Sequence, residues 1–153
     1  MLVFGYASLK VEGGRPARLP GWRRVWGVAM DNRVAIPGYK IYEDPATGER
    51  PAVHVAFLDI VEEPEAVVEG VLLEVADLAP LDARERNYDR VRVETDAGPA
   101  WTYVGSAAGR ARFTEAEALV VDRTYLALVA DAPPPPCPVV NLRRVDLRGP
   151  TLS

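Results

Sequence analysis

Apolar and polar positions alternate with a period of two through much of the chain. Leu2–Tyr6 is a short apolar run, and within Trp22–Met30 the residues Val25, Gly27 and Ala29 share one face. Ala52–Ile60 alternates more clearly, with Val53, Val55 and Phe57 on one side and His54 and Ala56 on the other. Such patterning predicts strands. Val68–Val75, Tyr88–Glu94 and Pro99–Val104 bring the expected total to about six. Asp31-Asn32 and Asp96-Ala97-Gly98 read as turns between neighbouring strands.

The period becomes helical in two places. Thr114-Glu115-Ala116-Glu117 has the form of a capping box. Val121, Tyr125, Leu128 and Val129 follow at helical spacing, predicting one helix over 114–130 or two broken near Asp122. Earlier, Asp77 is a suitable cap for a helix starting at Leu78, with Pro80 tolerated in its first turn. At roughly 100° per residue, Leu78, Leu81 and Glu85 fall on one face, with Arg84 and Arg86 to either side. Glu85 therefore occupies a place where an apolar residue is expected, facing the core or a cavity. Desolvating an unpaired carboxylate is costly. Two readings follow: a salt bridge with an arginine of a neighbouring strand, or a functional acid.

Composition narrows the class. The 153 residues fit one domain at roughly 100–200 residues per domain. A Pro-rich connector begins near residue 132, and Val139–Ser153 is expected to pack back as an extended strap. Hydrophobic residues at 48% and charged residues at 26% argue against wholesale disorder. A net charge of −4 gives no global reason to expect nucleic-acid binding.

The charge is uneven, however. Residues 1–40 hold seven Lys+Arg and two Asp+Glu, whereas residues 41–80 hold one and ten. Glu62, Glu63, Glu65 and Glu69 read as a solvated loop or helix face. The two quarters can attract within the fold or between two copies of the chain, which leaves a homodimer open. They can also place positive charge near an anionic small molecule.

No apolar run approaches the ~20 residues of a membrane span. The N-terminus lacks the features of a signal peptide, and a single cysteine makes the cytoplasm the expected compartment. With only His54 and Cys137, a four-ligand Cys/His zinc site cannot form within one chain, and no metal is expected. Cys137 lies in a proline run without an activating neighbour and reads as an inert thiol. His54 reads as a strand residue facing solvent or a satisfied partner. No phosphate-binding loop of the Gly-x-x-x-x-Gly-Lys-Ser/Thr type is present. Chemistry here rests on carboxylates, hydroxyls and backbone amides, with no cofactor expected.

Several segments carry a resemblance. Phe4-Gly5-Tyr6-Ala7-Ser8-Leu9 resembles the Tyr-Gly-Ser-Leu loop of the gamma-glutamylcyclotransferase-like superfamily. Leu81-Asp82-Ala83-Arg84-Glu85-Arg86-Asn87-Tyr88-Asp89-Arg90 is similar to that family's helix-to-strand segment, whose glutamate is the catalytic acid/base. Pro20–Gly27 and Val68–Val75 fit its strands, and Asp122-Arg123-Thr124-Tyr125-Leu126 its late helix start, where a tyrosine contacts substrate. The match runs in order over residues 3–130.

The resemblance implies an α+β fold, a small mixed β-barrel flanked by helices, with a cavity at the barrel mouth. It further implies cyclisation of a gamma-glutamyl amine or dipeptide to 5-oxoproline, an acyl transfer that releases an amine or amino acid. Glu85 would be the acid/base, with Tyr6, Ala7, Ser8 and Leu9 contributing backbone amides and Tyr125 a hydroxyl. One position departs: Ala7 stands where the family has glycine. Alanine suits that place if φ is negative and forces a rearrangement if it is positive. A binding domain without turnover, or a structural and partner-binding module, are the alternatives.

Overall fold

The computed structural model describes residues 1–148. Its elements run β1 (Leu2–Gly5), β2 (Arg15–Asp31), β3 (Lys40–Glu43), β4 (His54–Glu74), α1 (Ala79–Arg84), β5 (Tyr88–Thr95) and β6 (Gly98–Gly105). They continue with α2 (Ala107–Glu115), β7 (Leu119–Asp122), α3 (Arg123–Leu128), β8 (Val139–Val140) and β9 (Arg143–Asp146). A 3-10 turn over Ser8–Glu12 follows β1.

The fold is α+β, a curled, barrel-like mixed sheet with few helices, and β4 is its axis. β2 runs antiparallel along one side of β4, from Arg15↔Leu72 to Asp31↔His54. The other side takes β1 at one end and, in parallel, β7 at the other. β6 joins β1 in parallel and β5 completes a hairpin. The β5–β6 turn then returns to β2: the Asp96 N–H donates to the Arg18 carbonyl at 2.9 Å, and the Arg18 N–H to Asp96 Oδ1 at 2.8 Å. That exchange curls the sheet towards closure.

β4 joins two stretches that the sequence pattern separates, and the acidic block between them is strand rather than loop or helix. The register slips between Pro20↔Val67 and Trp22↔Glu62, with Gly21 at φ +84°. Pro64, which has no N–H for a ladder, lies in that slip. Exposed pairs Arg18–Glu69 (3.3 Å) and Arg23–Glu63 (3.1 Å) join the basic first quarter to the acidic second within the chain. The alternation read in Ala52–Ile60 also understates burial, since all of Val55–Ile60 is buried. α2 packs on β2, β4 and β6, so this part of β4 is covered on both faces.

Asp59 sits in that covered stretch. Its carboxylate accepts from the Ile60 and Gly105 amides at 2.8 Å each and pairs with Arg110 Nε at 2.9 Å. A Cβ on Gly105 would stand 2.6 Å from Asp59 Oδ2, so glycine is required for the lock to close.

The helix expected over 114–130 is replaced by three elements. Ser106, not Thr114, caps the first helix by accepting from the Gly109 amide, and Thr114 instead donates back to the Arg110 carbonyl. Val121 belongs to β7, and α3 begins after Asp122, at the break the pattern allowed. α1 starts at Ala79, with Asp77 Oδ1 accepting from the Ala79 amide at 3.0 Å. Of the strap, β8 pairs with β7 and β9 with β3, while residues 149–153 lie outside the described residues. The proline connector is tied down by Trp26 Nε1, which donates to the Pro133 carbonyl at 2.7 Å.

Candidate functional site

The end of β1, the end of α1 and the start of α3 converge on one cavity of about 150 Å³. Tyr6, Ala7, Ser8, Leu9, Glu85 and Tyr125 all line it. Five of these lie in two segments nearly 80 residues apart in sequence, so only the curled sheet makes them neighbours.

The first wall is the loop after β1. Gly5 lets the chain fold back on itself, because a Cβ there would stand 2.6 Å from Leu9 Cβ. Ala7 has φ −137° and ψ −119°, and no non-glycine residue among those described has a positive φ. Alanine therefore adds a methyl to the loop without demanding a left-handed backbone. The glycine that this turn needs is Gly5.

The Tyr6 carbonyl accepts from Arg24 Nη1 at 3.4 Å, and Arg24 also pairs with Asp131 at 3.1 Å. Lys10 joins the same carboxylate at 3.5 Å, and the Arg24 hydrogen bond holds Asp131 below its usual range. A planar trans peptide aims the Ala7 N–H opposite to the Tyr6 carbonyl. The Tyr6 side chain is committed elsewhere. Its hydroxyl donates to the Tyr103 carbonyl at 2.7 Å, and burial raises its pKa well above the usual value.

Glu85 ends α1 rather than sitting within it. Its N–H donates to the Leu81 carbonyl at 2.9 Å, and its carbonyl accepts from the Tyr88 amide at 3.1 Å. Leu78, just before α1, is buried with Val3, Leu9 and Tyr103. The neighbouring arginine does not pair with Glu85: Arg84 reaches Glu12 at 2.7 Å. Among the described residues the Glu85 carboxylate has no cation within 4.0 Å. Burial raises its pKa above 4.5, against the opposing pull of Lys40, Arg84 and Arg144. A carboxyl whose pKa is raised by burial in a partly apolar cavity is suited to take up and return a proton.

Tyr125 stands across the cavity, edge-on to Phe57 at 5.2 Å and to Trp26 at 5.9 Å. Its hydroxyl accepts from the Leu58 amide at 3.0 Å. The Leu58 carbonyl accepts from the Tyr88 hydroxyl at 2.7 Å. Burial raises the Tyr125 pKa, so the hydroxyl keeps its proton, and that proton has no acceptor among the described residues.

Sequence reasoning left out part of the lining. Lys40 and Tyr42 come from β3, and Arg144 from β9. Tyr39, Ile41 and Tyr42 are strand formers, a usable signal for β3. Nothing local says that Arg144 returns to the cavity. Burial lowers Lys40 from 10.5 to about 8, with Arg144 adding to the shift and Glu85 opposing it. His54 lies away from the cavity, its Nε2 3.9 Å from Asp31 Oδ2, and burial pushes the Cys137 thiol up. Among the described residues no group of three or more His, Cys, Asp or Glu side chains is arranged to hold a metal ion. None of their helices is long and apolar enough to cross a membrane.

A family model described as "Gamma-glutamyl cyclotransferase, AIG2-like" matches residues 3–125. No curated protein matches the chain significantly. A solved structure titled "Gamma-glutamyl cyclotransferase" is similar at 19% identity with a TM-score of 0.43, over 69% of this chain. The match spans 66% of that protein's length.

Proposed function

Because the chain belongs to the gamma-glutamyl cyclotransferase, AIG2-like family, we propose that it cyclises a gamma-glutamyl amine or dipeptide to 5-oxoproline. The free α-amine attacks the γ-carbonyl of the same molecule. A new C–N bond closes the lactam, the original amide C–N bond breaks, and an amine or amino acid leaves. Holding the glutamyl chain folded makes the attack intramolecular and supplies much of the rate. Glu85 accepts the proton from the attacking amine and delivers it to the departing nitrogen. The amides of Ala7, Ser8 and Leu9 receive the substrate carboxylate or the oxyanion that develops on the γ-carbonyl. Tyr125 donates its unclaimed proton to the same substrate, while its oxygen stays fixed by the Leu58 amide.

The observation that supports this reading best is the state of Glu85. It is a carboxyl lining a small cavity, without an ion-pair partner among the described residues and with its pKa raised by burial. A structural ion pair would have had Arg84 at hand, yet Arg84 goes to Glu12. The test is release of 5-oxoproline from a panel of gamma-glutamyl amines and dipeptides by the wild-type protein and by Glu85→Gln. Turnover by the wild type that is lost in a folded Glu85→Gln supports the assignment. No release from any member of the panel leaves a binding domain of the same fold.

A further inference from the structure

Three cations line the cavity, and two of them have carboxylate partners. Arg84 pairs with Glu12 and Arg144 with Asp146, each at 2.7 Å. Lys40 is different: no carboxylate oxygen among the described residues lies within 4.0 Å of its Nζ. The ammonium instead sits 4.3 Å from the Phe57 ring centroid, 5.4 Å from that of Tyr39 and 5.8 Å from that of Tyr42. Aromatic faces stabilise a cation without neutralising it and without satisfying its three donors.

The placement follows from the β3–β9 ribbon. Lys40 is paired with Asp146 and Tyr42 with Arg144, so Lys40 and Arg144 are diagonal neighbours on one face. Asp146 is opposite Lys40 but turns to Arg144 Nε. A lysine ordinarily extends its ammonium into water. Here the ribbon holds it inward, where burial first and the neighbouring Arg144 second lower its pKa, against the opposing pull of Glu85 and Asp146. Like charges held together at a cavity wall mark a place for an anion.

We propose that Lys40, with Arg144 beside it, forms a carboxylate-binding subsite that selects among gamma-glutamyl compounds. The assignment rests on the acyl-transfer reading above for the identity of the substrate. A dipeptide substrate offers two carboxylates, that of the glutamyl residue and that of the departing amino acid. Arg144 lies beyond the segment matched by the family model, so the subsite is completed by the returning tail.

The experiment compares kcat/KM for γ-glutamyl-alanine and γ-glutamyl-methylamide, in wild type, Lys40→Met, Lys40→Arg and Arg144→Gln. The loss expected for Lys40→Met on γ-glutamyl-alanine is roughly 10- to 100-fold, as for a lost charge-assisted hydrogen bond, and Lys40→Arg should recover most of it. A loss larger on γ-glutamyl-alanine than on the methylamide assigns the subsite to the departing amino acid. An equal loss on both assigns it to the glutamyl carboxylate. Values within about threefold of wild type on both substrates overturn the proposal. Should Lys40→Met fail to fold, Arg144→Gln is judged by the same pattern. If the wild type releases 5-oxoproline from neither substrate, the acyl-transfer reading fails separately. Glutarate binding by calorimetry then decides: a Kd raised by the same factor in the variants supports the subsite, and an unchanged Kd or no binding to wild type overturns it.

Discussion

The Tyr125 hydroxyl accepts the Leu58 amide proton at 3.0 Å, beside the place where the β2–β4 register shifts between Trp26 and Val28. A helix residue thus completes a sheet whose ladder is irregular, and the same side chain lines the cavity. Tyr125→Phe should therefore do two things at once. It strands a buried amide, lowering stability by about 1–3 kcal/mol, and it removes a donor from the substrate. Thermal melting and the KM for 5-oxoproline release check both. Unchanged stability would mean that water replaces the hydroxyl at Leu58.

Glu85→Gln is nearly isosteric but cannot carry a proton. Turnover should fall by roughly 10²–10⁴-fold, the usual worth of a general acid/base. Since Glu85 has no ion-pair partner within 4.0 Å among the described residues, the melting temperature should hold or rise. A buried pair broken by the substitution would instead cost about 3–5 kcal/mol. A variant that melts far earlier yet keeps its specific rate would sink the catalytic assignment.

The raised pKa of Glu85 has a signature in stability against pH. Between 4.5 and its raised value, the folded protein keeps a proton that the unfolded chain has released. This group's contribution therefore falls as pH rises through that window, whereas a Gln at the position does not titrate. The difference in Tm between wild type and Glu85→Gln should decline from pH 4.5 upward and then level off. Lys40 contributes the opposite slope between about 8 and 10.5, where the unfolded chain holds the extra proton. A Tm difference that stays flat from pH 4.5 to 8 would contradict a raised Glu85.

At the loop, Ala7→Gly and Gly5→Ala should differ sharply. Ala7 already has a φ that alanine accepts, so glycine adds only unfolded-state freedom and costs about 0.4–1 kcal/mol. A methyl on Gly5 meets Leu9 Cβ at 2.6 Å, and the 3-10 turn that carries Ser8 and Leu9 must move. Chemical denaturation and 5-oxoproline release on both variants provide the check. Equal behaviour would show that the fold-back does not depend on Gly5.

The strands around Leu2–Gly5, β5 and β6 were legible because each side-chain alternation is set by nearest neighbours in the chain. The break before α3 was legible at Asp122, which caps the helix by accepting from the Thr124 amide. β4 was not legible as one strand. Glu62, Glu63 and Glu65 look solvated from sequence, and they are, but β2 pairs at either end of this stretch, at Glu62 and Val67, and carries the strand through. Thr114 offered a better local capping signal than Ser106, yet the chain uses Ser106. Gly105 fits over Asp59, and Gly109 against Asn87, only when the turn begins there.

What the sequence alone determined is the local chemistry. Period-two runs prescribe strands, and the segment from Leu78 to Glu85 carries a carboxylate where an apolar residue is expected. The order of short motifs around Tyr6–Leu9, Glu85 and Tyr125 resembles one family's pattern. Only the tertiary structure decided what surrounds that carboxylate. The partner of Arg84 is Glu12, the acceptor in Tyr125 serves Leu58, and Lys40 and Arg144 share a ribbon made by strands more than 100 residues apart. Charges and hydrogen bonds act through space over a few ångströms, and the distances between such groups exist only once the sheet has curled.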